Sequence, residues 1–107
     1  MDDAKFDKIA REELRHIEDQ LMDVDPDEVE VTSSDGVLKL DLRDGVRIVI
    51  NSHRAARQIW MAAVASAWKF SPDLDTGRWL TESADPEELR ATLARIVKER
   101  IDLSLSL

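Results

Sequence analysis

The hydrophobic period of this chain changes twice, and the order of those changes constrains the fold more than any other feature. From Asp2 to Met22 the apolar residues Phe6, Ile9, Ala10, Leu14, Ile17 and Leu21 recur at steps of three and four, which is one stripe of an amphipathic helix. Asp23-Val24-Asp25-Pro26-Asp27 ends it, because Pro26 biases Asp25 away from helical angles and the aspartates favour local turns. The period then falls to two. Glu28-Val29-Glu30-Val31-Thr32 alternates, Ser34-Asp35-Gly36 is a turn, and Val37 to Leu42 alternates again with Leu38, Leu40 and Leu42 on one side. Asp44-Gly45 makes a second turn into Val46 to Asn51, where Val46, Ile48 and Ile50 face one way.

After a polar bend at Ser52 to Arg57, Gln58 to Ala63 reads as a fourth strand with Ile59 and Met61 on the core side and Gln58, Trp60 and Ala62 outside. The alanine-rich run Ala62 to Ala67 would also permit a helix. Trp68 to Phe70 and Arg78 to Leu80 are short strands on either side of an Asp75-Thr76-Gly77 turn. The period returns to 3.6 at the end: Leu89, Leu93, Ile96 and Val97 form a stripe, with Asp85 as the expected N-cap, Pro86 at the first helical position and Glu88 in capping-box spacing. Leu103 to Leu107 alternates and is expected to dock. Two one-sided helices and one run of hairpins predict a single domain over residues 1–107. Its expected class is a two-layer α/β sandwich in which the N-terminal and C-terminal helices pack on one face of an antiparallel sheet of four to six strands.

That arrangement leaves the other sheet face open. Alternation puts Glu28 and Glu30, Lys39 and Asp41, Arg47 and Asn51, and Gln58 and Trp60 there. An exposed Trp among amide and basic groups suits a protein contact; the opposite register would bury it.

Charge is divided unevenly. Of 23 acids and 15 bases, residues 1–30 hold 12 acids and 4 bases, so the whole excess lies there. No Lys or Arg stands between Arg15 and Lys39, a stretch that includes Glu18, Asp19, Asp23, Asp25, Asp27, Glu28 and Glu30. Such a field repels phosphate backbones, which argues against nucleic acid, and attracts cations or a basic protein surface. With no cysteine, disulfides, thiolate metal sites and a cysteine nucleophile are excluded. No apolar stretch approaches the ~18 residues of a membrane span. Asp2 and Asp3 stand where a leader would carry basic residues, so a cytoplasmic protein with no membrane partner is expected.

Enzyme constellations are scarce: no Gly-rich phosphate loop and no paired-histidine helix occur. His16 shares or borders a helix face with Glu12, Glu13 and Asp19, which could hold a divalent ion weakly or only hydrogen-bond at the surface. His53 reads as a loop residue without a role. Asp23 to Asp27 imitates the start of an EF-hand, but the sixth position is Glu28 rather than Gly and the twelfth is Ser34 rather than Glu. What remains is a ridge of hard oxygen donors, suited to iron, calcium, magnesium or manganese and expected to bind weakly.

Asn51 to Trp60 ending in Gln58-Ile59-Trp60, Trp79 after an Asp-rich turn, Phe6 and Ala10 on the first helix, and Gly36-Val37-Leu38 entering a strand together resemble the frataxin family. The likeness is to its short bacterial, CyaY-type branch and spans nearly the whole chain. The resemblance implies a role in iron–sulfur cluster assembly, with cysteine desulfurase and scaffold protein as partners and iron, ferrous or ferric, as a weakly bound ligand. Carried over, the metal ridge is Glu18, Asp19, Asp23, Asp25, Asp27, Glu28 and Glu30, with Asp3, Asp7 and His16 as further candidates. The partner surface is Asn51, Gln58 and Trp60, with Trp79 near it. Three functions follow: an iron-binding regulator or iron chaperone without turnover of its own, a ferroxidase that stores iron in oligomers, and an acidic interaction domain that never meets metal. A monomer, with iron-dependent oligomers on the second reading, is expected. Neutralising Asp23, Asp25, Asp27 and Glu28 should weaken iron and desulfurase binding and leave folding intact or improved. Two segments depart from the family: Ser52 to Ala56 lacks its Lys/Arg-Gln pair and Pro, and Ala63 to Trp68 lacks the Gly it carries before the fifth strand.

Overall fold

A computed structural model describes residues 1–107. Helix α1 (Asp3–Leu21) is capped by Asp2, whose carboxylate accepts the Lys5 N–H at 2.8 Å, and it buries Phe6, Ala10, Leu14, Ile17 and Leu21 as the stripe requires. Six strands follow: β1 (Val29–Ser34), β2 (Val37–Leu42), β3 (Arg47–His53), β4 (Gln58–Ala63), β5 (Ser66–Asp73) and β6 (Arg78–Thr81). They pair in chain order as one antiparallel meander. Helix α2 (Leu89–Ile101) closes the chain. α1 lies over β1 and β3 and α2 over β6, so both helices cover one face of the sheet and the expected two-layer sandwich is the fold found.

Between the layers lie Leu38, Leu40, Ile48, Ile50, Ile59, Met61, Phe70 and Trp79 from the sheet, against Phe6 and Ile17 of α1 and Leu89 and Leu93 of α2. The strand alternation set this: each core-facing residue is two from the next, and the register pairs Leu38 with Ile50, Leu40 with Ile48 and Ile50 with Met61. Leu103, Leu105 and Leu107 pack half-buried against the same core, so the alternating tail docks as expected.

Three expectations need correction. The alanine-rich run is no helix: Ala63 pairs with Ser66, and Val64 and Ala65 make the hairpin turn between β4 and β5. In that turn Val64 takes φ +56°, a left-handed conformation unusual for a β-branched residue. β5 runs from Ser66 to Asp73, well beyond Trp68 to Phe70, because its pairing with β6 extends to Asp73 and Arg78. α2 starts at Leu89, and its N-cap is Glu88, which accepts the Arg90 and Ala91 N–H groups at 2.8 and 3.0 Å, instead of Asp85. Main-chain pairing of Thr81 with Glu87 and of Leu80 with Glu88 holds the incoming chain extended, which delays the helix past Pro86.

Candidate functional site

The ridge begins where α1 ends. Glu18, Asp19 and Asp23 lie at or just past the last turn of a helix that carries no basic residue there, so their charges add to the negative end of its dipole. The turn that follows is built by Asp25: its carboxylate accepts the Asp27 N–H at 2.9 Å and its carbonyl accepts from Glu28 and Val29. Asp27 and Glu30 point outward beyond it, exposed. Glu28 differs from the rest, since Arg43 Nε donates to it at 3.0 Å while Arg43 Nη2 holds the Ile101 carbonyl at 2.7 Å. Glu18, Asp19, Asp23, Asp25, Asp27 and Glu30 therefore carry no ion pair, and Glu28 does. Glu18 and Asp19 also border a groove of about 850 Å³ between α1 and the β1–β2 hairpin, where Leu14 and Leu38 are apolar lining and Arg11 and Arg15 share the wall. Nowhere do three or more His, Asp or Glu side chains converge as a ready-made metal cage.

The further candidates on α1 are engaged elsewhere. Asp7 takes both Arg54 nitrogens, Nε at 3.1 Å and Nη2 at 2.6 Å, and this ion pair raises the Arg54 pKa. Asp3 pairs with Arg57 of the same bend. His16 Nε2 meets the Leu107 main-chain oxygen at 2.7 Å, which ties α1 to the docked tail. Glu13, grouped with His16 on spacing alone, is buried and bonded to Arg90. Asp3, Asp7, Glu13 and His16 each take a partner distant in sequence.

The outer sheet face is organised around Trp60. Asn51 stands directly across from it on β3, and Trp60 Nε1 donates to Gln58 Oε1 at 2.9 Å. Gln58 Nε2 donates to Ser71 Oγ at 3.2 Å, and Ser71 donates to Glu82 at 2.9 Å. Lys69 of β5, the register partner of Trp60, places Nζ 4.8 Å from the indole centroid, a cation–π distance. His53 is not a loop residue: β3 continues to it, and its ring stacks on Trp60 with centroids 3.9 Å apart and planes 10° apart. The parity of β3 could have found it, since His53 lies two residues from Asn51 on the same face.

Trp79 is on the other side of the sheet. It is 3% exposed and meets Phe6 edge-on at 6.0 Å, so it belongs to the core and does not join Asn51, Gln58 and Trp60.

The frataxin-like domain model matches residues 1–103. The chain belongs to the frataxin family. Its curated relatives include the iron–sulfur cluster assembly protein CyaY of Ralstonia pickettii (strain 12J), 32% identical over 100% of this chain and 95% of the relative. The protein of the same name from Pseudomonas fluorescens (strain Pf0-1) is 30% identical over 94% and 89%. Among solved structures, frataxin from Psychromonas ingrahamii superposes with a TM-score of 0.89 over 99% of this chain and 97% of that one; at 17% identity it speaks for the fold. Trimeric frataxin of Saccharomyces cerevisiae, complexed with ferrous iron, gives 0.73 at 29% identity over 89% and 87%. In this frataxin the bend between β3 and β4 has a structural use: its two arginines, Arg54 and Arg57, reach back to Asp7 and Asp3 at the start of α1.

Proposed function

We propose that this frataxin is an iron-binding regulator of iron–sulfur cluster assembly, which binds iron weakly on the ridge and uses the same acids to dock a basic surface of cysteine desulfurase. Its Trp60 face meets the scaffold. The observation that carries the reading is a run of seven acids, residues 18–30, in which only Glu28 has a Lys or Arg partner. Asp3, Asp7, Glu13, Glu28, Asp41, Asp44, Glu87, Glu99 and Asp102 are each paired with a Lys or Arg, whereas Glu18, Asp19, Asp23, Asp25, Asp27 and Glu30 are not. Three of these six crowd the negative end of a helix, where each anion is unfavourable and a bound cation relieves both the dipole and the mutual repulsion. Separate, hydrated carboxylates hold a hard cation loosely and exchange it quickly, which suits delivery or sensing more than storage. The names of the curated relatives and the ferrous iron in the yeast homologue support the same reading. Because iron and a basic protein patch would use the same oxygens, the two should compete.

The test is an anaerobic ferrous titration of the labelled protein at physiological salt, following backbone amides by NMR, with and without excess magnesium. Broadening confined to residues 12–35 that survives magnesium supports the reading, and desulfurase should then reverse it. Uniform weak shifts abolished by magnesium would reduce the ridge to a counterion surface. Oxygen uptake on adding ferrous iron would mean a ferroxidase instead.

A further inference from the structure

His53 has two contacts that cannot both survive a change in its proton count. Its ring lies flat on Trp60 at 3.9 Å, and its Nδ1 accepts the Ala56 N–H at 3.3 Å. An imidazole nitrogen that accepts an N–H carries no proton, so the ring as placed is neutral, with its hydrogen on Nε2. A second proton turns Nδ1 into a donor facing another donor and removes one of the bonds that close the bend. It also adds a positive charge to an indole already facing Lys69 at 4.8 Å. The attraction between an imidazolium and the indole is then opposed by repulsion between two cations on one ring.

The charges around His53 do not cancel this. Arg54 and Arg57 are in the bend itself and Lys69 is on β5, while the neighbours on β3 and β4, Asn51 and Gln58, are neutral amides. Asp7 and Asp3 of α1 are already paired with Arg54 and Arg57, and Glu82, which accepts from Ser71, stands at the far end of the Gln58 chain. No carboxylate pairs with the imidazole. The bend is compact, with Arg57 at φ +54° and its Nη1 donating to the Arg54 carbonyl at 2.8 Å, so the Ala56 contact is one of few that hold it shut.

We propose that His53 is a positioning residue for the Trp60 face, a proton-sensitive clamp that fixes the indole when neutral and releases it when protonated. The proposal rests on the reading of that face as a partner surface. A clamp of this kind links two places: Trp60 on the sheet and, through Arg54 and Arg57, the start of α1. Imidazole changes charge between about pH 5 and 8, so the clamp would weaken partner docking on mild acidification.

The test has one readout in the free protein and one with a partner. In the ¹⁵N-labelled full chain, the Trp60 indole N–H, identified by its loss in Trp60→Phe, and the Ala56 amide should move together along one titration curve between pH 8 and 5. In His53→Gln, which keeps an acceptor but does not titrate, both should stay flat; His53→Ala should lose the fixed indole position at every pH. A Trp60 resonance that titrates equally in His53→Gln, or an Ala56 amide that does not move in the wild type, would overturn the clamp. With scaffold added, the ratio of wild-type to His53→Gln affinity should fall roughly two- to tenfold from pH 7.5 to 5.5, the range of one aromatic pair. A constant ratio while the free-protein resonances still move together would leave the clamp standing and overturn the Trp60 face as the contact surface.

Discussion

Glu13 of α1 and Arg90 of α2 are joined by a two-pronged ion pair, with Arg90 Nη2 and Nε donating to the two carboxylate oxygens at 2.7 and 2.9 Å. Glu13 is only 5% exposed, whereas the Arg90 side chain is 36% exposed, so the pair closes the helix layer at its edge. The bonded carboxylate, beside Glu88, raises the Arg90 pKa against an opposing effect of burial. Truncating Arg90 leaves a buried carboxylate unpaired, and breaking a fully buried pair costs ~3–5 kcal/mol. Because Arg90 is partly solvated, Arg90→Ala should cost less, about 2 kcal/mol. Replacing both residues by Leu or Met should recover much of that loss, as measured by denaturant unfolding. An Arg90→Ala variant as stable as wild type would show that the two helices do not depend on this pair.

The ridge acids should divide into two groups when neutralised. Glu18→Gln, Asp19→Asn and Asp23→Asn remove charges from the unfavourable end of α1, so each should leave stability unchanged or raise it by ~0.3–1 kcal/mol while iron binding weakens. Glu28→Gln gives up the Arg43 contact, and Asp25→Ala gives up the acceptor that closes the turn, so these two should weaken iron binding and lower the melting temperature together. A block neutralisation that includes Asp25 and Glu28 mixes the two effects. Loss of stability in the Glu18, Asp19 and Asp23 variants would assign those residues to the fold and not to the function.

Much of this architecture was legible because local periods and core burial agree. The α1 stripe and the alternation of Leu38, Leu40 and Leu42 each admit one way of facing a core, and the type of each hairpin residue marks the turns at Asp35-Gly36 and Asp44-Gly45. The failures share a physical cause, which is pairing with distant segments. The side of the sheet that Trp79 occupies depends on how far β5 runs before its turn, and β5 is set by its pairing with β6 rather than by its own composition. The start of α2 was misplaced because Glu87 and Glu88 pair with Thr81 and Leu80 before the helix can begin. The acidic ridge was legible as a run of charge, yet only the structure separates Glu28, held by Arg43, from its unpaired neighbours. His53 escapes an apolar period because β3 outlasts its apolar residues, and the partners of the metal candidates Asp3 and Asp7, Arg57 and Arg54, lie about fifty residues on.

Val64 should be a stability reserve. It sits at φ +56°, is 74% exposed and gives up no buried contact when shortened. A left-handed conformation costs an ordinary residue ~1–2 kcal/mol, and Gly pays part of that back in unfolded-state entropy. Val64→Gly should therefore stabilise the protein by about 1 kcal/mol, or roughly 4–8 °C in melting temperature for a chain of this size. Val64→Asn should give a smaller gain, since Asn tolerates the same region. Thermal unfolding decides the matter: a variant less stable than wild type would mean the turn relaxes into a conformation that Val accepts.

Asp44 should account for part of the acid sensitivity of the fold. The Val46 N–H donates to its carboxylate at 3.0 Å and, against an opposing effect of burial, Arg100 Nε donates at 2.9 Å; together they hold its pKa below the ordinary carboxylate value of 3.8. A pKa lowered by folding means that the unfolded chain takes up the proton first. The stabilisation is therefore fully present above the unfolded value and is lost as pH falls through the folded one. Asp102, lowered by Lys98, acts in the same direction at the end of α2. Urea unfolding of the wild type and Asp44→Asn at pH 7, 4.5 and 3 should show the variant less stable at pH 7 and the difference narrowing at pH 3. Two curves that stay parallel down to pH 3 would mean that Asp44 keeps the same proton affinity in the folded and unfolded chains, and that its contacts with Val46 and Arg100 contribute nothing to acid stability.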